Sequence, residues 1–233
     1  MGQHTVSSFD EELEAIDRLI RDMGDLSGSM VSGSTHALLA SDTALAQRVV
    51  SDDTVMDAKQ RELDDRAITL IAKRQPMAQD LRAVVGAIRM AADLERIGDL
   101  AKNIAKRVGA VGETAAPKAL GLSIDSMSAL VLGQVERVVQ HYVSRDAQQL
   151  AVLRADDEKV DIKYTAVFRE LLTYMMEDPR NITACTHLLF CAKNLERIGD
   201  HVTNIAENAY YVITGSQLPP SRPKLDETST MLA

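Results

Sequence analysis

At 233 residues the chain has room for one large domain or two ordinary ones, and either can bury a core. Only 3% of residues are aromatic and none is Trp, while Ala, Leu, Val, Ile and ten Met carry the apolar content, so helices are favoured over strands. A net charge of −8 excludes nucleic-acid binding through a general basic surface and suits cationic partners or metal ions better.

Phe9, Leu13, Ile16, Leu19, Ile20, Met23 and Leu26 step by three or four, which predicts an amphipathic helix running towards Ala40 and weakened by Gly24, Gly28 and Gly33. Ser41-Asp42 offers a cap, and a second helix follows through Val49, Val55, Leu63, Ala67 and Leu70 until Gln75-Pro76 breaks it. Pro76 is expected to open the third helix, which carries Leu81, Val84, Ile88, Leu94, Ile97, Ile104 and Val108 and ends at Gly109 and Gly112. Gly109–Gly121 reads as a linker. A fourth helix is predicted over Leu122–Val143, with Asp146 standing where Asp42 stood. The fifth runs unbroken through Leu153, Val160, Val167, Phe168 and Leu171 to Asp178-Pro179. The sixth starts near Pro179 and runs to about Ile213, where Gly215 stops it. Beyond it, Pro219, Pro220, Ser221 and Pro223 lead into a polar tail expected to be unstructured.

The third and sixth helices share a sequence. Leu94-Glu95-Arg96-Ile97-Gly98-Asp99 returns letter for letter as Leu195-Glu196-Arg197-Ile198-Gly199-Asp200, 101 residues later, and Asp93–Ala105 matches Asn194–Ala206 at nine of thirteen positions. Asp42, Asp53 and Asp57 likewise match Asp146, Asp157 and Asp161 at an offset of 104. The chain is therefore read as a duplication. The economical architecture is all-α, two tandem pseudo-symmetric three-helix bundles, with one repeat over residues 5–110, the other over 117–214 and a disordered tail over 215–233.

Glu95 and Asp99 are four apart, so they share a helix face, and Asn103 continues the row. Like charges at that spacing cost a few tenths of a kcal/mol, roughly 0.2–0.5 per pair. The second copy repeats the arrangement with Glu196, Asp200 and Asn204. On a wheel with Glu95 at ~0°, Asp99 falls near ~40° and the apolar Leu94, Ile97, Ala101, Ile104 and Val108 between about 180° and 260°, so the acids are expected to face away from the core. Asp53 with Asp57, and Asp157 with Asp161, form a second acid pair on the preceding helix of each half. If the two helices pack antiparallel, each bundle brings four carboxylates towards one surface patch, a donor set suited to hard or borderline cations. The plainer alternative is a solvated acidic face paired locally with Lys102, Lys193, Arg96 or Arg197. Gly98 and Gly199, in helix interiors, are read as points of close helix approach.

Other chemistries lack their residues. There is no Glu-x-x-His of a di-iron bundle, no Gly-rich phosphate loop, no His-Glu-x-x-His and no Gly-x-Ser-x-Gly. Of the five histidines only His201, beside Asp200, stands out. Cys185 and Cys191, six apart on one helix, point in different directions and are read as reduced, buried side chains. No signal-like leader and no apolar run near ~20 residues occurs, so a cytoplasmic protein without membrane insertion is expected.

The duplicated LERIGD with its following Asn-Ile-Ala, the Asp178-Pro179 turn and the matching Asp pairs resemble the PhoU family, phosphate-transport and phosphate-signalling regulators of bacteria, from Phe9 to about Gly215. The resemblance implies two three-helix bundles, each with a surface metal cluster. Carried over by position, its ligands are Glu95 with Asp99, Asp53 with Asp57, Glu196 with Asp200, and Asp157 with Asp161, holding iron, manganese, zinc or magnesium. It also implies a non-enzymatic negative regulator, expected as a homodimer. Such a regulator would link the ATPase subunit of a phosphate ABC transporter to a phosphate-sensing histidine kinase. The first copy has Asp93 where the second has Asn194, so the two patches need not be equivalent. A hydrolase built on the carboxylate clusters, and a purely structural metal-binding bundle, are the alternatives.

Overall fold

The computed structural model describes residues 2–112 and 118–218. Among these, the first half contains α1 (Gly2–Ala40), α2 (Thr43–Arg74), α3 (Gln79–Ala105) and the single turn α4 (Val108–Gly112). The second half contains α5 (Lys118–Val143), α6 (Ala147–Ala155), α7 (Glu158–Glu177), a 3-10 turn (Pro179–Asn181) and α8 (Ile182–Thr214). The fold is all-α, and each half is a three-helix bundle, with α6 and α7 together forming the middle helix of the second. Part of the expected linker, residues 113–117, and all but the first four residues of the expected tail lie outside the described residues.

The two halves begin their second helix by the same device. Ser41 and Arg145 both adopt the left-handed conformation, with φ of 54° and 58°. Asp42 and Asp146 follow as caps, accepting the backbone N–H of Leu45 at 2.9 Å and of Gln149 at 3.0 Å. At the other end, α8 stops at Gly215, whose φ of 74° suits a residue without a Cβ.

Besides the fourth helix, which begins at Lys118 instead of Leu122, three boundaries differ from the sequence expectation. Pro76 does not open α3: Gln75 and Ala78, with φ of 48° and 49°, reverse the chain first, and the helix begins at Gln79. Two antiparallel helices need residues to turn in, and a helix starting directly at Pro76 would leave none. The third helix ends at Ala105, and Val108–Gly112 forms a separate turn. The predicted fifth helix is broken at Asp156-Asp157. There Lys159 and Val160 donate to the carbonyls three residues back, at 3.1 and 2.9 Å, instead of four. Asp156 is held from outside the helix, since its carboxylate meets Arg137 of α5 at 3.3 Å and its carbonyl accepts Gln134 Nε2 at 3.2 Å. The counterpart α2 runs unbroken for 32 residues.

The bundles lie side by side over one continuous apolar core, to which both halves contribute. α3 and α8 pack antiparallel along the main seam. A Cβ at Gly86 would overlap Val212, Asp93 meets His201, and further along Arg107 meets His187. α1 and α5 form the second seam, where a Cβ at Gly24 would overlap Val139, Ser128 donates to Thr35 Oγ1 at 2.8 Å, and the Tyr142 hydroxyl donates to Asp17. Gly24 therefore serves helix approach. Cys185 and Cys191 are free and buried, as read from their spacing, and burial pushes the Cys191 thiol up to about 12.

Candidate functional site

In the first bundle α2 and α3 bring Asp53, Asp57, Glu95 and Asp99 together, and the patch closes around a lysine. Lys102 Nζ lies 2.6 Å from Asp53 Oδ2 and 2.6 Å from Asp99 Oδ1, joining the two helices. Arg96 adds contacts of 2.9 Å to Asp99 and 3.4 Å to Glu95. The titration of these groups records the arrangement. Burial and then the charge of Asp99 raise Glu95, against the opposing effect of Arg96, with Asp57 and Asp53 adding smaller increases. Burial works against the charge of Asp99 as well, but the hydrogen bonds and charges of Lys102 and Arg96 outweigh it and hold that carboxyl below its usual range. Lys102, although partly desolvated, is raised by its bonds to both aspartates. The local pairing expected of a solvated acidic face is thus present, with one addition that spacing alone does not give: the bond from α3 to Asp53 on α2.

The second bundle assembles Asp157, Asp161, Glu196 and Asp200 differently. Asp157, Asp161 and Glu196 are only 2%, 3% and 4% exposed, so Glu196 does not face away from the packed interior as expected, whereas Asp200 is half-buried and Asn204 exposed. The reason is Gly199. A Cβ there would stand 2.9 Å from Asp157 Oδ1 and 3.4 Å from Val160, so its absence lets the start of α7 close down on α8. Gly199 therefore makes room for an acid as well as for packing, whereas Gly98 faces only Met30 and Met56 at 3.4 Å. The break at Asp156-Asp157 turns Asp157 into this position as the cap residue of α7, so the expected i, i+4 pair on one regular helix is here a cap and a first-turn residue.

The compensating lysine also differs. Lys102 of the first copy corresponds to Thr203 of the second, and Lys193 of the second to Ala92 of the first. Lys193 Nζ reaches Glu196 Oε1 at 2.9 Å from a partly exposed position and lies 4.9 Å from the ring centre of Tyr164. Burial raises Glu196; Lys193 opposes this, and Asp200 and Asp161 add to it. Glu196 Oε2 is buried and has no hydrogen-bond partner.

Asp93 belongs to neither patch. Its Oδ1 meets His201 Nδ1 at 2.9 Å and accepts from Asn204 Nδ2 at 3.3 Å, tying α3 to α8 across the seam. His201, singled out by its place next to Asp200, thus turns to the other bundle. A repeat comparison signals this link only through the Asp93 and Asn194 difference.

In chemical type the eight acids fit a hard cation, and the buried Glu196 Oε2, without a hydrogen-bond partner, is an oxygen such an ion could meet. The arrangement is less complete. Among the described residues no group of three or more acidic, imidazole or thiol side chains is placed to hold a metal ion, and in the first patch an ammonium stands between Asp53 and Asp99.

The family model described as "PhoU domain" matches residues 20–108 and again 124–209. A phosphate-specific transport system accessory protein PhoU homolog of Rhizobium meliloti (strain 1021) is 56% identical over 228 residues, 98% of this chain and 96% of that protein. The crystal structure of PhoU from Pseudomonas aeruginosa superposes with a TM-score of 0.86 at 34% identity, covering 89% of this chain and 100% of that one. The phosphate transport system regulatory protein PhoU from Streptococcus pneumoniae gives 0.82 at 26% identity, over 91% and 99% of the two chains.

Proposed function

Since the chain belongs to the PhoU family, we propose that it is an accessory protein of a phosphate-specific transport system that acts as a negative regulator of the phosphate-starvation response. The observation that carries this reading is near full-length similarity to relatives named for that transport system, spanning both repeats. As an adaptor it contacts two partners, the ATPase subunit of the transporter and a phosphate-sensing histidine kinase, and biases the kinase towards the state that removes phosphate from its response regulator. No step of that role requires turnover by this chain.

Several features support an adaptor. Among the described residues no helix is long and apolar enough to cross a membrane. The acidic net charge suits reversible, electrostatically guided association. The acidic patches are proposed cation sites that tune this role, with Asp157, Asp161, Glu196 and Asp200 taking a divalent ion such as iron, manganese, zinc or magnesium. Such an ion would meet the Glu196 oxygen that has no hydrogen-bond partner. In the first patch, Asp53, Asp57, Glu95 and Asp99 take one only in exchange for Lys102. A homodimer is the proposed assembly. Co-purification from cells grown in high phosphate tests the reading: recovery of the transporter ATPase and the kinase with the chain supports it, and recovery of neither opposes it. Phosphate-ester hydrolysis that disappears in Asp200→Ala would favour a hydrolase instead.

A further inference from the structure

A second polar site lies at the end of the α3–α8 seam formed by the start of α3 and the end of α8. A cleft of about 580 Å³ opens there between α3, α6, α8 and the segment after Gly215, lined by Arg89, Arg154, Glu207, Asn208, Tyr211 and Gln217 among others. Arg82, two helical turns before Arg89 on the same face of α3, places its guanidinium 5.9 Å from the centre of the Tyr211 ring, and its Nε is buried with no hydrogen-bond partner. Among the described residues, of the three guanidinium groups only Arg154 meets a carboxylate, Glu207 at 2.6 Å. Among the described residues Arg82 and Arg89 form no ion pair. In an acidic protein, a cleft lined by two arginines against one acid, with Arg82 beside it over Tyr211, is a local reversal of charge, and Asn208 and Gln217 supply neutral donors.

The duplication gives a control. At the other end of the seam the position equivalent to Arg89 is Phe190, and the position equivalent to Asn208 is Arg107. There the Arg107 guanidinium stacks on the Phe190 ring at 4.3 Å and bonds His187 Nδ1 at 3.1 Å, so that corner uses up its own cation. Exchanging Phe for Arg and Arg for Asn removes this plug and leaves the exposed Arg89 guanidinium at the cleft.

We infer that this cleft binds a phosphoryl-type oxyanion, with Arg89 and Arg154 as its principal ligands and Arg82 and Tyr211 closing one side. Planar guanidinium groups match the geometry of phosphate oxygens, and a dianion offsets the surplus positive charge. The volume admits either inorganic phosphate or the phosphoryl end of a mononucleotide. The inference does not depend on the adaptor reading, which stands or falls by its own partners.

The test uses the full chain in phosphate-free buffer, titrated calorimetrically with inorganic phosphate and, separately, with AMP. Saturable one-site binding of at least one of them is expected, weakened at least tenfold in Arg89→Glu. Arg89 is exposed, so that variant keeps the wild-type melting temperature. Arg82→Gln, with its charge removed, is expected to bind more weakly as well. Saturation by inorganic phosphate identifies the free anion as a ligand, and saturation by AMP alone identifies a nucleotide phosphoryl group. Failure of both ligands to bind, or binding unchanged in Arg89→Glu, overturns the inference.

Discussion

Replacing Lys102 by Met keeps the aliphatic stem and deletes the ammonium that closes the first acidic patch. Two charge-assisted hydrogen bonds of 2.6 Å are lost, one across to Asp53 and one within α3 to Asp99. Such bonds contribute about 1.5–3 kcal/mol each when well shielded, and the partial solvent access of this patch reduces the combined loss to about 2 kcal/mol. For a chain of this size that is a fall of about 4–8 °C in Tm. The loss depends on pH with a definite sign. Asp99 is held below its ordinary value, so its stabilisation is present at neutral pH and disappears as pH falls through the lowered folded value. Lys102 is held above its ordinary value, so its contribution is complete below the unfolded value near ~10.4 and is lost only as pH rises through the folded one. The gap between wild type and variant is therefore widest from about pH 5 to pH 10 and closes in strong acid. Urea unfolding followed by circular dichroism at pH 7 and pH 3, with chelator present, measures it. Equal stability at pH 7, or the same deficit at both pH values, would refute the assignment of Lys102 as the charge that joins α2 to α3.

Glu196→Gln is expected to raise stability by about 1 kcal/mol at pH 7 without divalent ions, because it removes a buried charge beside Asp200 and Asp161. Glu196 is raised, so the wild type regains that stability as pH falls through the folded value towards the ordinary carboxylate range, and the melting temperatures of wild type and variant should draw together between pH 7 and pH 4. The glycines of the repeated signature should separate. Gly199→Ala forces a Cβ against Asp157 and is expected to cost about 1–3 kcal/mol, while Gly98→Ala meets only flexible methionines and should be neutral or stabilising by up to about 1 kcal/mol, both read from urea midpoints. Asp93→Ala deletes the acceptor shared by His201 and Asn204, and about 1 kcal/mol of destabilisation is expected in the same assay.

The features legible in the sequence are those that local chemistry decides. The Asp42 and Asp146 caps, the stop at Gly215 and the two copies of the signature follow from residue type and spacing, and the all-α duplicated fold follows from them. The features that were not legible depend on contact between helices. The break at Asp156-Asp157 is not legible in residues 147–177 alone, because besides the local Lys159 the groups that hold Asp156, Arg137 and Gln134, belong to α5. A helical wheel places Glu196 opposite the apolar stripe but says nothing of what covers that side, and Gly199 allows α7 to cover it. Lys102 was visible as an i+3 partner of Asp99, while its bond to Asp53 required the packing of α2 against α3. The Asp93 and Asn194 difference was visible as a charge asymmetry; its meaning, a link across the seam, needed the partner helix.

The most direct test of the proposed function is a reporter for phosphate-starvation genes in the source bacterium with this chain deleted, grown in abundant phosphate. The adaptor account predicts that the reporter is switched on despite the phosphate, and that the wild-type chain supplied from a plasmid restores repression. A deletion strain that keeps the reporter fully repressed in high phosphate would contradict it.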